Sequence, residues 1–306
     1  MTAKVPGRAF AYTPDAAAGQ ASPLNAPACM PVDHYENFPV ASLLLPAHLR
    51  EPVEAIYAFA RGADDIADEG TAGSAERLAG LAAYRAGLDA IAAGQPCADP
   101  ALAPMFARLA RTIDRHRLPL QPFHDLLDAF AQDVVKTRYA DFAELTDYCR
   151  RSANPVGRLL LHLYDAADEH RLALSDRICT SLQLINFWQD VGIDRAKGRI
   201  YLPAEDMARF GVSAGQVLAG TVDAAWRALI DFEVQRARAM MCAGAPLALQ
   251  LRGRIGWELR LMVLGGLRIL EGIERAGGDV FRRRPTLGRG DWPVLAWRAL
   301  NYRRHT

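Results

Sequence analysis

Apolar positions in this chain recur every three to four residues almost throughout, which is the spacing of an α-helical face. The pattern predicts helices over residues 50–69, 74–94, 102–118, 120–139, 141–153, 155–171, 174–199, 224–249 and 256–278, separated by Pro, Gly or polar breaks. Pro52 is placed in the first turn of its helix, where the missing N–H costs nothing. Gly94, just ahead of Pro96, is a good stop. No alternating apolar–polar runs bounded by hairpin turns occur, and no repeat of fixed period. Several of these segments are apolar nearly all round and so must be covered on several sides. The expectation is an all-α, single-domain bundle of about ten helices around an interior.

Two helices break this pattern with acids. The first, "YAFARGADDIADEG" (57–70), carries Asp64, Asp65, Asp68 and Glu69. On a straight helix Tyr57, Arg61, Asp64 and Asp68 fall within a stripe roughly 60° wide. Taken alone, such a run is either a solvated face or a site neutralised by a cation. The second, "LQLINFWQDVGID" (182–194), places Asn186, Asp190 and Asp194 at successive i, i+4 steps with Gln183 one turn earlier, over roughly 80°. These polar groups sit among Leu182, Leu184, Ile185, Phe187, Trp188 and Val191, and buried carboxylates must be paired or coordinate metal. Two opposed D-x-x-x-D faces, with Asn186 as a further oxygen ligand, would hold a hard divalent cation. Mg²⁺ suits a few carboxylates plus phosphate oxygens. Arg61, Arg195, Lys197 and Arg199 would meet a polyanion, so the pair of sites points to Mg²⁺-bridged diphosphate. A carboxylate-bridged di-iron centre would need Glu-x-x-His motifs, and neither acidic site has one.

Composition narrows the picture. The chain has 306 residues, about half of them apolar, with 36 basic and 35 acidic side chains for a net charge of +1. That balance gives no reason to expect nucleic-acid binding. Five scattered cysteines with no C-x-x-C pair read as reduced intracellular thiols. Residues 1–31, rich in Ala, Pro and Gly, lack a signal-peptide core and read as a flexible leader before a domain over 32–306. No stretch offers the ~20 unbroken apolar residues of a spanning helix, so a cytoplasmic protein is expected. The amphipathic tail "WPVLAWRALNYRRHT" (292–306) either packs on the bundle or touches a membrane surface.

The set D-D-x-x-D at Asp64–Asp68, "QLIN" and "QDVGID" between Gln183 and Asp194, and "GRIYLP" (198–203) resembles the squalene and phytoene synthase family. The resemblance runs from about His34 to Pro203, and more weakly to near Trp297. It implies the isoprenoid-synthase fold, helices around a central apolar cavity, with Asp64, Asp68, Asp190 and Asp194 binding Mg²⁺ and diphosphate. The neighbouring family positions fall on Tyr57, Arg61, Gln183 and Asn186, and the family's mid-chain tyrosine and small-residue segment on Tyr148, Ala153 and Gly157 of "YCRRSANPVG".

The departures from the family pattern are specific too: "HYENF" (34–38) in place of H-S-x-S-F, Gln189 where many members carry Arg, and "SANPVG" in place of a V-A-G-x-V-G-like segment. With "DVFRRRPTLG" (279–288), they resemble the HpnC branch, the hydroxysqualene synthases of bacterial hopanoid pathways. That resemblance implies conversion of presqualene diphosphate and water to hydroxysqualene. The partners it implies are a presqualene diphosphate synthase upstream and a flavin-dependent reductase downstream. Cation-shielding candidates are Tyr57, Phe59, Phe187 and Trp188. His34, Glu36, Asn37 and Asn154 are polar candidates where the branch departs from its relatives, Asn154 also being half of an ordinary Asn-Pro helix start. The Arg282–Arg284 run is expected to end the last core helix. Two alternatives remain beside this reading: condensation of two farnesyl diphosphates to presqualene diphosphate or squalene, and a non-catalytic partner of a sister synthase.

Overall fold

A computed structural model describes residues 45–306. Leu45 leads into α1 (Ala47–Asp68), which Pro46 introduces, so the helix starts three residues earlier than its sequence suggested and Pro52 lies one turn inside it. Then follow α2 (Ser74–Ala92), α3 (Ala103–His116), α4 (Gln121–Val135) and α5 (Phe142–Ser152). Pro104, Pro122 and Pro155 open α3, α4 and α6 in their first turns, where the missing N–H is harmless. Asp141 caps α5 by accepting from the Glu144 N–H at 2.7 Å.

The stretch read as one helix over 155–171 is two. Helix α6 (Asn154–Leu163) stops at Tyr164, Asp165 takes a left-handed φ of 51°, and Asp168 caps α7 (Glu169–Asp194) by accepting from the Arg171 N–H at 2.9 Å. Apolar spacing runs through this corner unbroken, so periodicity hid it; the capping aspartate marks it. Likewise α4 ends at Val135, short of the expected Tyr139. Lys136 turns extended, Arg138 bridges in parallel to Ile200, and the Ile200 N–H donates to Thr137 O at 3.0 Å. After α7 come α8 (Ala204–Arg209), α9 (Ala214–Ala219), α10 (Ala224–Gly244), α11 (Leu247–Gln250), α12 (Arg254–Arg275) and α13 (Asp291–Leu300). The short helices α8 and α9, and α13, lie outside the segments the pattern picked out, whereas the single helix expected over 224–249 is divided into α10 and α11. The Arg282–Arg284 run does not end a helix: α12 stops at Arg275, and the run lies in an irregular strap over residues 279–290.

Burial divides the interior into two clusters. One gathers α1 to α4, where Phe59 meets Tyr84, Phe106 and Phe123 with ring centroids 5.6, 6.0 and 5.3 Å apart. The other surrounds α7, the longest helix, with α10 and α12 against it. Helix α6 joins them, since Leu159 and Leu163 face the first cluster and Leu161 the second. Gly157 is what lets α6 lie against α7: a Cβ there would come within 2.3 Å of Ser175 Oγ and 2.6 Å of Cys179 Sγ. Among the described residues no helix is long and apolar enough to cross a membrane.

Candidate active site

The acids of the two motifs, and Asp133 with them, lie at the C-terminal ends of three helices. Asp64 and Asp68 lie in the last two turns of α1, Asp133 in the last turn of α4, and Asp190 and Asp194 in the last turns of α7. A helix C-terminus carries partial negative charge, so a carboxylate placed there is disfavoured, by roughly 0.3–1 kcal/mol each when exposed. Five at three such ends make a strongly negative locus that only cations can offset.

Arginines and a lysine supply them. One turn past α7, Gly198 takes φ 71° and sends the chain back, so that Arg199 reaches across to α1. Its Nη2 and Nη1 donate to Asp68 Oδ1 and Oδ2 at 2.6 and 3.1 Å, and Nη2 also to the Asp133 carbonyl at 3.2 Å. Lys197 stands 3.7 Å from Asp68. Burial would raise the Asp68 pKa, but Arg199 and Lys197 outweigh it and hold the carboxyl below its ordinary value. Arg61 faces its own helix, 3.5 Å from Asp64, 2.7 Å from Asp65 and 2.8 Å from Glu69. Arg284 comes from the strap and forks onto both oxygens of Asp190.

Two carboxyls remain undercompensated. Burial, and then the charge of Asp190, push the Asp194 pKa up to about 7 despite Arg199 and Lys197. Burial likewise pushes Asp133 up to about 7, although its Oδ2 accepts from the Tyr148 hydroxyl at 2.7 Å. Asp133 Oδ1 is buried with no hydrogen-bond partner. Beside this pair lies an aromatic group: Phe187 stacks on Tyr201 at 3.8 Å, and Tyr139 and Tyr148 are 5.6 Å apart.

The structure therefore gathers the first motif, the second motif and Arg199 around the same helix ends. Tyr57 is half-buried on α1, two turns before Asp64, and Gln183 and Asn186 are half-buried on α7 ahead of Asp190. Tyr148 is buried on α5, with Ala153 at the start of α6 and Gly157 within it. His34, Glu36 and Asn37, like the leader over 1–31, lie outside the described residues. Of the shielding candidates, Phe59 and Trp188 are fully buried core residues, whereas Phe187 belongs to the aromatic group. Asn154 is occupied structurally, its Oδ1 accepting from Thr180 at 2.9 Å. Gln189 is buried, and its Nε2 donates to Pro285 O at 2.5 Å: it anchors the strap that carries Arg284. Sequence reasoning missed Asp133, Tyr139 and Tyr201. Asp133 is one of three aspartates in an amphipathic helix, with Asp125 and Asp128, and its one signal was that it falls in the last turn, the wrong end for a carboxylate.

Among the described residues no three acidic, His or Cys side chains converge on one point. A cation here would take carboxylates singly or in pairs and fill its shell with water or phosphate oxygens, which is the habit of Mg²⁺. The donors are all hard oxygens, and the undercompensated Asp194 is where added positive charge is most needed, so the residues present fit such an ion.

Comparison with known proteins finds relatives over most of the chain. The model of the squalene/phytoene synthase family matches residues 32–291. A hydroxysqualene synthase from Zymomonas mobilis is 40% identical over 185 residues, covering 60% of this chain and 59% of that protein. A phytoene synthase from Arthrospira platensis is 32% identical over 266 residues, covering 81% of this chain and 83% of that protein. The crystal structure of squalene synthase HpnC from Alicyclobacillus acidocaldarius superposes with a TM-score of 0.73 at 41% identity, over 80% of this chain and 90% of that one.

Proposed function

Because this chain belongs to the squalene/phytoene synthase family, isoprenoid synthases that act on prenyl diphosphates, we propose that it converts presqualene diphosphate and water to hydroxysqualene and diphosphate. The observation that carries the chemistry is the convergence of Asp64, Asp68, Asp190 and Asp194 at helix C-termini, held by arginines on both sides. The 40% and 41% identities to a hydroxysqualene synthase and to HpnC favour the water-capturing branch.

Bound by these carboxylates, with Asn186 as a further oxygen donor, Mg²⁺ would neutralise the departing diphosphate as a Lewis acid. The C–O bond breaks and its electron pair leaves with the diphosphate. Arg61, Arg199 and Arg284 stand where they can meet that anion once their carboxylate partners are otherwise engaged. The cyclopropylcarbinyl cation is stabilised by the ring faces of Tyr57, Phe187 and Tyr201. The cation rearranges within its carbon skeleton. Water adds as a cyclopropane C–C bond opens and its electron pair becomes the new C=C bond, and the adduct loses a proton to solvent, completing the balance without a hydride donor. Gln183 and the Tyr148–Asp133 pair supply the polar contacts of the site, while Ala153 and Gly157 belong to the small-residue segment that lets α6 approach α7. In a pathway to hopanoids, a presqualene diphosphate synthase supplies the substrate and a flavin-dependent reductase consumes the product.

The broader match to a phytoene synthase favours a second reading, head-to-head condensation of two prenyl diphosphates. Purified protein with Mg²⁺ and no NADPH, given farnesyl diphosphate or presqualene diphosphate, separates them. Hydroxysqualene from presqualene diphosphate alone supports the first, and presqualene diphosphate from farnesyl diphosphate the second.

A further inference from the structure

Helix α13 is built inside out. Its inner face carries the charges: Asp291 accepts from Arg268 at 2.7 Å, and Arg298 donates to Glu271 at 2.5 Å, both partners lying on α12, with Leu295 and Ala299 buried between them. Its exposed residues are Trp292, Pro293, Ala296, Trp297 and Leu300, every one apolar. An ordinary surface helix has the opposite arrangement, and the two inward ion pairs fix which face points out.

Tryptophan usage reinforces this. Of five tryptophans, Trp188 and Trp226 are fully buried, whereas Trp257, Trp292 and Trp297 are 39%, 52% and 58% exposed. Trp257 lies at the same end of the molecule: the Arg260 guanidinium covers its ring at 4.9 Å and the ring of Tyr302, just past α13, at 5.9 Å. The flanks are basic. Arg289 before the helix, and Arg303 and Arg304 after it, are exposed, and the sole acid over residues 289–306, Asp291, is taken by Arg268.

We propose that the outer face of α13 docks on an anionic lipid surface, with Trp292, Trp297 and Leu300 in the acyl boundary and Arg289, Arg303 and Arg304 among the headgroup phosphates. Indole rings favour the membrane interface, and an apolar face with basic flanks binds there by combined apolar burial and charge attraction. A second copy of the chain fits less well, because a two-fold contact across this face would set the same arginines against each other. None of Trp292, Trp297, Leu300, Arg303 and Arg304 is among the residues of the acidic site, so vesicle binding and turnover are read independently.

The test is co-sedimentation of the full chain with vesicles of phosphatidylcholine alone and of phosphatidylcholine mixed with phosphatidylglycerol, with tryptophan quenching by brominated acyl chains. The expected result is binding to the anionic vesicles with quenching. Trp292→Ser, Trp297→Ser and Leu300→Ser together should lower partitioning at least about tenfold without shifting the thermal midpoint downward. Arg303→Gln with Arg304→Gln should lower it about fivefold per charge and flatten its salt dependence. Turnover of detergent-dispersed substrate should stay unchanged in these variants. Wild-type protein left in the supernatant with both vesicles, or undiminished binding by the triple serine variant, overturns the proposal. So does a solution dimer that the serine variant dissociates while vesicle binding is absent.

Discussion

The Tyr148 hydroxyl donates to Asp133 Oδ2 at 2.7 Å, while Oδ1 of the same carboxyl is buried with no partner. A fully satisfied structural carboxyl would not be left so. Burial raises this group from 3.8 to about 7, so in the folded protein it keeps its proton where the unfolded chain has lost it. Its contribution to stability is therefore complete below the unfolded pKa and is lost as pH rises towards 7. Relative to Asp133→Asn, which stays neutral, wild-type stability should fall between pH 5 and pH 8 by up to a few kcal/mol. Urea midpoints of both proteins at the two pH values check this, and a constant difference would contradict it. Tyr148→Phe, which strips the remaining partner, should cost about 1–3 kcal/mol.

Asp68 and Asp190 are held by half-buried arginine pairs within a crowd of like charges, so the attraction each loses is offset in part by repulsion relieved. Asp68→Asn and Asp190→Asn should each change unfolding free energy by less than about 1 kcal/mol. Turnover should fall on the order of a hundredfold or more, because each removes a carboxylate that would hold the cation. Denaturation curves beside steady-state rates separate the two effects. Native turnover in either variant would remove these residues from the site.

Gln189 and Gly192 fix the strap. Gln189 donates to Pro285 O, and a Cβ on Gly192 would meet the carbonyl oxygens of Val280 and Phe281 at 2.9 and 3.0 Å. Gln189→Leu should cost about 1 kcal/mol, and Gly192→Ala about 1–3 kcal/mol through forced displacement of the strap backbone. Both should speed trypsin cleavage at Arg282 and Arg283, which are already exposed. Cleavage at the wild-type rate in both variants would show that the strap is held elsewhere.

The metal requirement should depend on pH through Asp194. With its carboxyl pushed up to about 7, a proton competes for the same oxygens below neutrality. Chelation should abolish turnover. The Mg²⁺ concentration for half-maximal rate should rise by up to about tenfold per pH unit below 7, and Asp194→Asn should remove that slope. Rates titrated with Mg²⁺ between pH 6 and pH 8 measure it.

How much of this was legible in the sequence follows from how local each signal is. The i, i+4 spacing of Asp64 with Asp68, and of Asp190 with Asp194, is a property of single helices, so both faces could be read directly. That they meet through Arg199 depends on the left-handed turn at Gly198, which no periodicity records. Asp133 joins them only because α4 ends beside α1, and Arg284 only because the strap folds back over Gly192. The corner between Leu163 and Glu169 was missed since its apolar spacing continues across the break. Gln189 was legible only as a departure from the family pattern, whereas its role needs the fold: its amide holds the strap that delivers a guanidinium to Asp190.

The measurement closest to the central claim follows the oxygen atom. Presqualene diphosphate is turned over by the purified protein with Mg²⁺ in ¹⁸O-labelled water, without NADPH, and the product is weighed by mass spectrometry. The account predicts hydroxysqualene carrying one labelled oxygen, formed at a rate that collapses in Asp190→Asn. A product whose hydroxyl is unlabelled, or turnover of farnesyl diphosphate with presqualene diphosphate left untouched, would contradict it.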